Sequence, residues 1–199
     1  MDTFKTYCLS LKSNTDRREW MLSIKDKIGL DFEFWDATTP YEITEEIKNQ
    51  YFKHVNFYEW NINAEAAMAT FISHIRLLEW SSINKTNLIL IEDDIDHINY
   101  FDWVSLDWST FDIYKLGVQG INCYAYAVSY TGADKLLKHL NSIKITEAYD
   151  IELHKIKHLK VKYITKPIFI QIQNRFTSNI APNGYKKKKK YDNGSNKLY

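Results

Sequence analysis

The spacing of apolar residues along the chain switches between a helical period and a strand period. From Asn63 to Ile83, apolar side chains recur every three or four positions, which places them on one face of a long helix. The run Asn87–Ile91 is instead typical of a strand that is buried on both faces. Further helices are predicted at Arg17–Ile28, Ile43–Phe52, Tyr100–Val104, Thr131–Leu140 and Asp150–His158, and further strands at Lys5–Leu11, Phe32–Ala37, Phe111–Leu116, Tyr124–Ser129, Val161–Thr165 and Ile168–Ile172. This alternation predicts an α/β fold, a single domain whose mostly parallel central sheet is flanked by helices.

A change in composition near residue 182 divides the chain into two parts. The chain has 199 residues, of which 45% are hydrophobic, and this suits one globular domain. Residues 182–199 are mostly Lys, Asn, Gly, Ser and Tyr, which bury too little apolar surface to order a chain. We therefore expect a folded domain at residues 1–181 and a flexible basic tail at residues 182–199.

Five consecutive lysines, Lys186–Lys190, give this tail its positive charge. The chain has 26 basic and 25 acidic residues, so without these five the balance is 21 against 25 and the net charge is −4. An acidic body argues against a surface that binds nucleic acid. The tail is predicted to contact an anionic membrane peripherally, and the alternative is a solvated run that only aids solubility.

The cysteines and the N-terminal residues indicate the cellular compartment in which the protein is expected. Cys8 and Cys123 lie far apart in apolar runs, so they lack metal-site spacing and give little support for a disulfide. Residues 1–5 contain no apolar signal core, and no run of about 18 uncharged apolar residues predicts a membrane-spanning helix. We expect a cytoplasmic protein.

Three acidic residues, Glu92, Asp93 and Asp94, come directly after the strand predicted at Asn87–Ile91. Carboxylates at the end of a buried strand lie at the sheet edge where open α/β folds bind ligands. Their mutual repulsion favours a bound cation, and hard oxygen ligands suit Mg²⁺ or Mn²⁺. Strand alternation places Glu92 and Asp94 on one side and Asp93 on the other. The alternative is a solvated strand end.

Several segments, taken in order, resemble glycosyltransferase family 25, which includes bacterial lipooligosaccharide galactosyltransferases and collagen hydroxylysine galactosyltransferases. The resemblance spans residues 7–180 and depends on the order and spacing of motifs that are individually unspecific. The segments are Leu9–Arg18, Phe71–Leu78, Leu90–Ile95, Phe111–Gly117, Tyr124–Leu137 and Ser178–Ile180. The resemblance implies a GT-A-like fold. It also implies an inverting, Mn²⁺- or Mg²⁺-dependent transfer of a sugar from a UDP-sugar to a hydroxyl of a glycan or glycoprotein acceptor, with galactose as the first candidate for the sugar.

The resemblance also implies roles for individual residues. Asp94 is expected to be a catalytic metal ligand with Glu92 nearby, and Asp150 is the expected catalytic base toward the acceptor hydroxyl. The expected donor-binding residues are Arg17, Arg18, Ser73, His74, Glu92 and Asp93.

Each of these roles has a structural alternative. The two arginines are alternatively a charge pair on a helix surface, and His74 a partly buried histidine that braces the site. Asp150 is alternatively a helix N-cap.

One departure from the family pattern raises an alternative function. Ala67 stands where the family has a glutamate, so the chain is alternatively a degenerate relative that binds a sugar nucleotide or glycan without transfer. A metal-dependent phosphohydrolase that uses the same acids is a further alternative.

Overall fold

The computed structural model describes residues 3–53, 63–120, 123–172 and 175–176. In chain order, its strands are β1 (Phe4–Ser10), β2 (Glu33–Asp36), β3 (Asn87–Glu92), β4 (Ile95–His97), β5 (Ile113–Lys115), β6 (Ala125–Val128), β7 (Val161–Tyr163) and β8 (Phe169–Gln171). Its α-helices are α1 (Thr15–Ile28), α2 (Glu45–Tyr51), α3 (Ala64–Asn84), α4 (Tyr130–Ser142) and α5 (Tyr149–Lys155), and short 3₁₀ helices lie at Pro40–Glu42, Trp103–Ser105 and Trp108–Thr110.

The central sheet has the order β2-β1-β3-β6-β5-β7 across the described chain. Its pairings are parallel except for those of β6, which is antiparallel to both β3 and β5. The predicted α/β architecture with a mostly parallel sheet is therefore confirmed, and it agrees with a single GT-A-like domain. A separate small sheet is formed by β4 and β8, which pair antiparallel.

All the predicted strands and all but one of the predicted helices are found, with ends that shift by at most three residues. The stretch predicted as a helix at Tyr100–Val104 is a single 3₁₀ turn. The sequence did not predict β4, because it has only three residues and its partner β8 lies more than 70 residues later. The proposed tail at residues 182–199 and the segment Ser178–Ile180 lie outside the described residues. Among the helices that are described, none is both long and apolar enough to cross a membrane.

Two hydrophobic cores cover the two faces of the sheet. Alternate residues of β3 enter different cores: Leu88 and Leu90 pack on the side of α3, α4 and α5, and Ile89 and Ile91 pack on the side of α1. All four side chains are fully buried. This two-sided burial explains why β3 is a continuous apolar run and not an alternating one.

The start of α4 lies unusually close to the backbone before β5. Ser129 caps the helix by accepting a hydrogen bond from the backbone N–H of Gly132. A Cβ atom at Gly132 would lie 2.3 Å from the carbonyl oxygen of Asp112, so a larger residue does not fit there. Glycine at this position therefore allows α4 to pack directly against the sheet.

Candidate active site

The acids after β3 form a turn, which we call the acidic turn and define as Glu92, Asp93 and Asp94. Glu92 is the last residue of β3, and the two aspartates lead directly into β4. The predicted strand alternation therefore does not extend to Asp94. The turn lies at the carboxyl end of a central strand, as expected for a ligand site in an α/β fold.

Asp93 is buried and its carboxylate is fully engaged by α1 and the end of β1. The Nη1 atom of Arg17 lies 2.7 Å from its Oδ1, and both side chains are 8% exposed. Its Oδ2 accepts hydrogen bonds from the Ser10 hydroxyl at 2.7 Å and from the Asn14 side-chain amide at 3.3 Å. Asp93 thus links three segments of the fold.

Arg17 supplies a positive charge to the acidic turn from within the chain. In addition to Asp93, its Nη1 lies 3.6 Å from Oδ2 of Asp94. Arg17 faces inward with Met21, Ile24 and Ile28, one helical face of α1. The interpretation of Arg17 as part of a surface charge pair is therefore wrong.

Arg18 takes a different direction from its neighbour. It pairs with Asp36 at the end of β2, donates to the backbone oxygen of Ser10 at 3.0 Å, and lies 4.8 Å from the centre of the Phe34 ring. Arg18 therefore connects the carboxyl ends of β1 and β2 and contacts none of the three acids.

Asp94 combines burial with incomplete hydrogen bonding. Its Oδ2 accepts a hydrogen bond from the Gln171 side chain at 3.1 Å, whereas its Oδ1 is buried and has no hydrogen-bond partner in the described part of the chain. Burial, and next the charge of Glu92, raise the pKa of Asp94 to about 7. A carboxylate whose buried oxygen has no hydrogen-bond partner can offer that oxygen to a cation as a ligand.

Glu92 faces the opposite helix layer, toward α3 and α5. Its side chain is a quarter exposed, and its Oε1 lies 3.5 Å from Nε2 of His74. Burial raises the pKa of Glu92 to about 7, and the nearby charges of Asp93 and Asp150 add to this shift. The charge of Glu92 in turn raises the pKa of Asp94, so these two carboxylates resist simultaneous ionisation.

His74 lies in a buried polar row that ends at Glu92. Its Nδ1 is 3.0 Å from the Tyr126 hydroxyl, which is in turn 3.0 Å from the Tyr149 hydroxyl. The imidazole also stacks on the Tyr149 ring, with centroids 4.1 Å apart. Burial lowers the pKa of His74 to about 3, so the ring is neutral and one nitrogen is a donor. These contacts fit the interpretation of His74 as a bracing residue.

Ser73 is fully buried, and its hydroxyl connects backbone segments. It donates to the carbonyl oxygen of Ala69 at 2.7 Å and accepts from the backbone N–H of Thr38 at 2.8 Å. It thereby holds α3 against the chain that follows β2. The donor-binding role of Ser73 stays a prediction.

Asp150 lies in the first turn of α5, half-buried and close enough to the acidic turn to influence Glu92. The N-cap of α5 is Ala148, so the interpretation of Asp150 as the N-cap is wrong. Its Oδ1 accepts from the backbone N–H of Ile151 at 2.9 Å. Burial raises the pKa of Asp150, opposed by that hydrogen bond and by the charge of Lys115.

Several residues of the site were not predicted from the sequence. These residues are Lys115, Tyr126, Tyr149 and Gln171. Lys115 is only 2% exposed, and a lysine inside the predicted strand Phe111–Leu116 was a usable signal. The two tyrosines gave no such signal, because aromatic residues are most often core.

A divalent cation in this site would depend on a small number of carboxylates. No group of three or more His, Cys, Asp or Glu side chains among them is arranged to hold a metal ion. A Mg²⁺ site usually needs only one or two carboxylates, since waters and substrate phosphates supply the other ligands, and Mn²⁺ accepts the same ligands. Glu92 and Asp94, with the unsatisfied Oδ1 of Asp94, fit such an ion.

Comparison with known proteins identifies the class of this α/β fold. A family model described as glycosyltransferase family 25 (LPS biosynthesis protein) matches residues 3–104, just over half of the chain. The matched region includes β1, the long helix α3 and the acidic turn. The chain therefore belongs to glycosyltransferase family 25, which confirms the resemblance of its motifs. A comparison with curated proteins gives no match.

Proposed function

We propose that the protein transfers a sugar from a UDP-sugar to a hydroxyl of a glycan or glycoprotein acceptor, with inversion at the anomeric carbon. Galactose is the first candidate for this sugar. The observation that carries this proposal is the pair Glu92 and Asp94 at the carboxyl end of β3. Both pKa values are raised to about 7, and the buried Oδ1 of Asp94 has no hydrogen-bond partner among the residues that the structure describes. Membership of a glycosyltransferase family supports the general reaction.

Asp94 and Glu92 are the residues that would hold Mn²⁺ or Mg²⁺. Such an ion, when bound, neutralises negative charge on the diphosphate of the leaving nucleotide. Two carboxylates with raised pKa values, one of which raises the pKa of the other, have an electrostatic preference for a cation. We therefore infer that nucleotide and cation bind together.

Asp150 is the proposed base. Its carboxylate takes the proton of the acceptor hydroxyl while the oxygen bonds to the anomeric carbon and the bond to the diphosphate breaks. A raised pKa makes this carboxylate a stronger base than a solvated aspartate. Its position in α5, on the side of the sheet that Glu92 faces, separates the base from Asp93 and Arg17.

The other predicted donor-site residues receive supporting roles in this proposal. Arg17 and Asp93 fix the acidic turn to α1, and His74 orients Glu92 through its Nε2. Arg18 sets the relative position of the ends of β1 and β2, next to the site of the nucleotide. Ser73 holds α3 against the chain that follows β2, through the hydrogen bond that its hydroxyl accepts from the backbone N–H of Thr38.

A second candidate function is sugar-nucleotide or glycan binding without transfer. Ala67, which replaces the family glutamate, is buried and packs in a small cluster with Ala64 and Ala148. Ala148 lies two residues before Asp150. A missing carboxylate at this position would affect the side of the site where the acceptor base lies.

The test is transfer and hydrolysis of UDP-galactose with Mn²⁺, for the parent and for Asp94→Asn. The amide keeps the shape of the side chain and removes the charge, so we expect at least a hundredfold loss of turnover with a retained fold. Asp31→Asn is the matched control, because Asp31 is exposed and lies before β2, away from the acidic turn. Full activity of Asp94→Asn, or of the parent in excess chelator, would contradict the metal-dependent mechanism. Nucleotide binding with no turnover in the parent would favour the degenerate alternative, and phosphate release from UDP alone would favour a phosphohydrolase.

A further inference from the structure

Arg175 lies beside the acidic turn, although it is 81 positions later in the chain. Its backbone N–H donates to the carbonyl oxygen of Ile172 at 3.4 Å, and the N–H of Ile172 donates to the carbonyl oxygen of Asp94 at 2.7 Å. The neighbouring Gln171 binds the Asp94 carboxylate. Two backbone hydrogen bonds thus connect Arg175 to the residue proposed as the metal ligand.

Trp20 of α1 provides a rigid support for the Arg175 side chain. The guanidinium carbon of Arg175 lies 3.8 Å from the centre of the Trp20 ring, the distance of close face-to-face contact. The indole N–H of Trp20 donates to the carbonyl oxygen of Ile95 at 2.8 Å, so the ring is itself fixed to the residue that follows the acidic turn. A guanidinium that stacks on a ring keeps the N–H groups along its edge for other partners.

The arginines of this chain differ in how their charge is balanced. Of the four, Arg17 pairs with Asp93, Arg18 with Asp36 and Arg76 with Glu42. Within the described residues, no carboxylate lies within 4.0 Å of the Arg175 side chain, which is exposed. The arginine that is supported next to the proposed nucleotide site is therefore the one without an acidic partner among the described residues.

We propose that Arg175 binds the diphosphate of the sugar-nucleotide donor. This inference depends on the proposed function, and it assigns the phosphate contact to Arg175 in place of Arg17, whose Nη1 lies between two aspartates. A guanidinium edge donates two parallel hydrogen bonds to phosphate oxygens. The Phe176 ring centre lies 5.3 Å from the guanidinium carbon of Arg17 and 5.7 Å from that of Arg175, so one ring is within cation–π distance of both cations.

The experiment compares binding of UDP, uridine and inorganic pyrophosphate by calorimetry, with Mn²⁺ at one fixed concentration. The variants are Arg175→Gln and Trp20→Leu, and Lys27→Gln is the matched control. Lys27 is exposed in the last turn of α1, about two turns after Trp20, so its substitution removes the same charge without removing the ring that supports Arg175. We expect Arg175→Gln to weaken UDP and pyrophosphate about tenfold and to leave uridine unchanged. Trp20→Leu should shift UDP affinity in the same direction by a smaller factor, and Lys27→Gln should leave all three unchanged.

The outcomes separate this inference from the function on which it depends. If the parent binds UDP and Arg175→Gln binds it equally well, Arg175 does not contact the diphosphate. The same conclusion follows if Arg175→Gln weakens UDP and uridine by one factor, since the loss is then not specific to phosphate. If the parent binds neither UDP nor pyrophosphate, the proposed function itself fails.

Discussion

The guanidinium of Arg17 and the carboxylate of Asp93 form an ion pair of 2.7 Å in which both side chains are 8% exposed. Removing one partner of a buried pair leaves the other charge uncompensated, so we expect Arg17→Met to lower the free energy of unfolding by about 3–5 kcal/mol. Urea unfolding measures this loss. Lys5→Met is the matched control, because Lys5 and Glu33 form an exposed pair at the other end of β1, and exposed pairs contribute little. Equal losses of unfolding free energy in the two variants would show that burial does not make the Arg17–Asp93 pair more stabilising than an exposed pair.

Glu92 should make the stability of the protein depend on pH. Its pKa is about 7 in the folded state against 4.5 for the ordinary value, so the folded state binds its proton more tightly than the unfolded state. The stability that this proton provides is complete below about pH 4.5 and is lost as pH rises through about 7. Glu92→Gln lacks this titration, so we expect its stability relative to the parent to increase across that window, by at most about 1.4 kcal/mol per pH unit.

Urea unfolding of both proteins between about pH 5 and pH 8 measures this difference. The comparison within a pair of variants cancels the opposite trend of His74, whose lowered pKa removes stability as pH falls below 6.5. Glu19→Gln, an exposed change on α1, is the control. A difference between Glu92→Gln and the parent that stays constant across this pH range would contradict the raised pKa.

Asp150→Asn tests the base. We expect turnover to fall at least about a hundredfold, because the amide takes up no proton, while UDP affinity stays within a few fold. The fold should be unaffected, since an asparagine oxygen still accepts from the N–H of Ile151 and the helix cap is Ala148. A large loss of UDP binding would place Asp150 in the metal site, and unchanged turnover would leave it a structural role only.

The basic tail is expected to direct the protein to anionic surfaces and to take no part in the reaction. Deleting residues 186–199 removes the five lysines, each worth about 1 kcal/mol near an anionic membrane. The truncated protein should retain full activity on a small soluble acceptor and bind anionic vesicles more weakly in a sedimentation assay. Added salt should weaken the binding of the parent in the same way. Loss of activity on the soluble acceptor would show that the tail belongs to the active site.

The elements that the sequence predicted well are those whose burial has a regular period. The helix α3 packs against the sheet through buried side chains at intervals of three and four, and β3 is buried on both faces, so each leaves a clear pattern. The three-residue strand β4 leaves none, because its pairing with β8 depends on a chain segment distant in sequence. Local pattern is a poor guide where long-range pairing determines structure.

The acidic turn was predictable, but the arrangement of its partners was not. The orientation of Arg17 had a sequence signal, because it precedes Met21 by four positions and Ile24 by seven, the same helical face. The row formed by His74, Tyr126 and Tyr149 had no such signal, because it joins α3, β6 and α5 through contacts that no local spacing encodes. Residues of one site come from distant segments, and only the fold brings them together.

The attachment of the segment around Ile172 to the acidic turn has a consequence for the order of folding. The backbone of Asp94 and its carboxylate find partners in Ile172 and Gln171, and β4 pairs with β8. During synthesis, β1, α1, β2 and β3 leave the ribosome long before these residues do. A nascent chain that ends near residue 150 should therefore contain the acids of the site while lacking the strand that orders them. The donor site should become competent only after the segment around Ile172 has been synthesised and has paired with the acidic turn, which delays nucleotide binding until this part of the fold is complete.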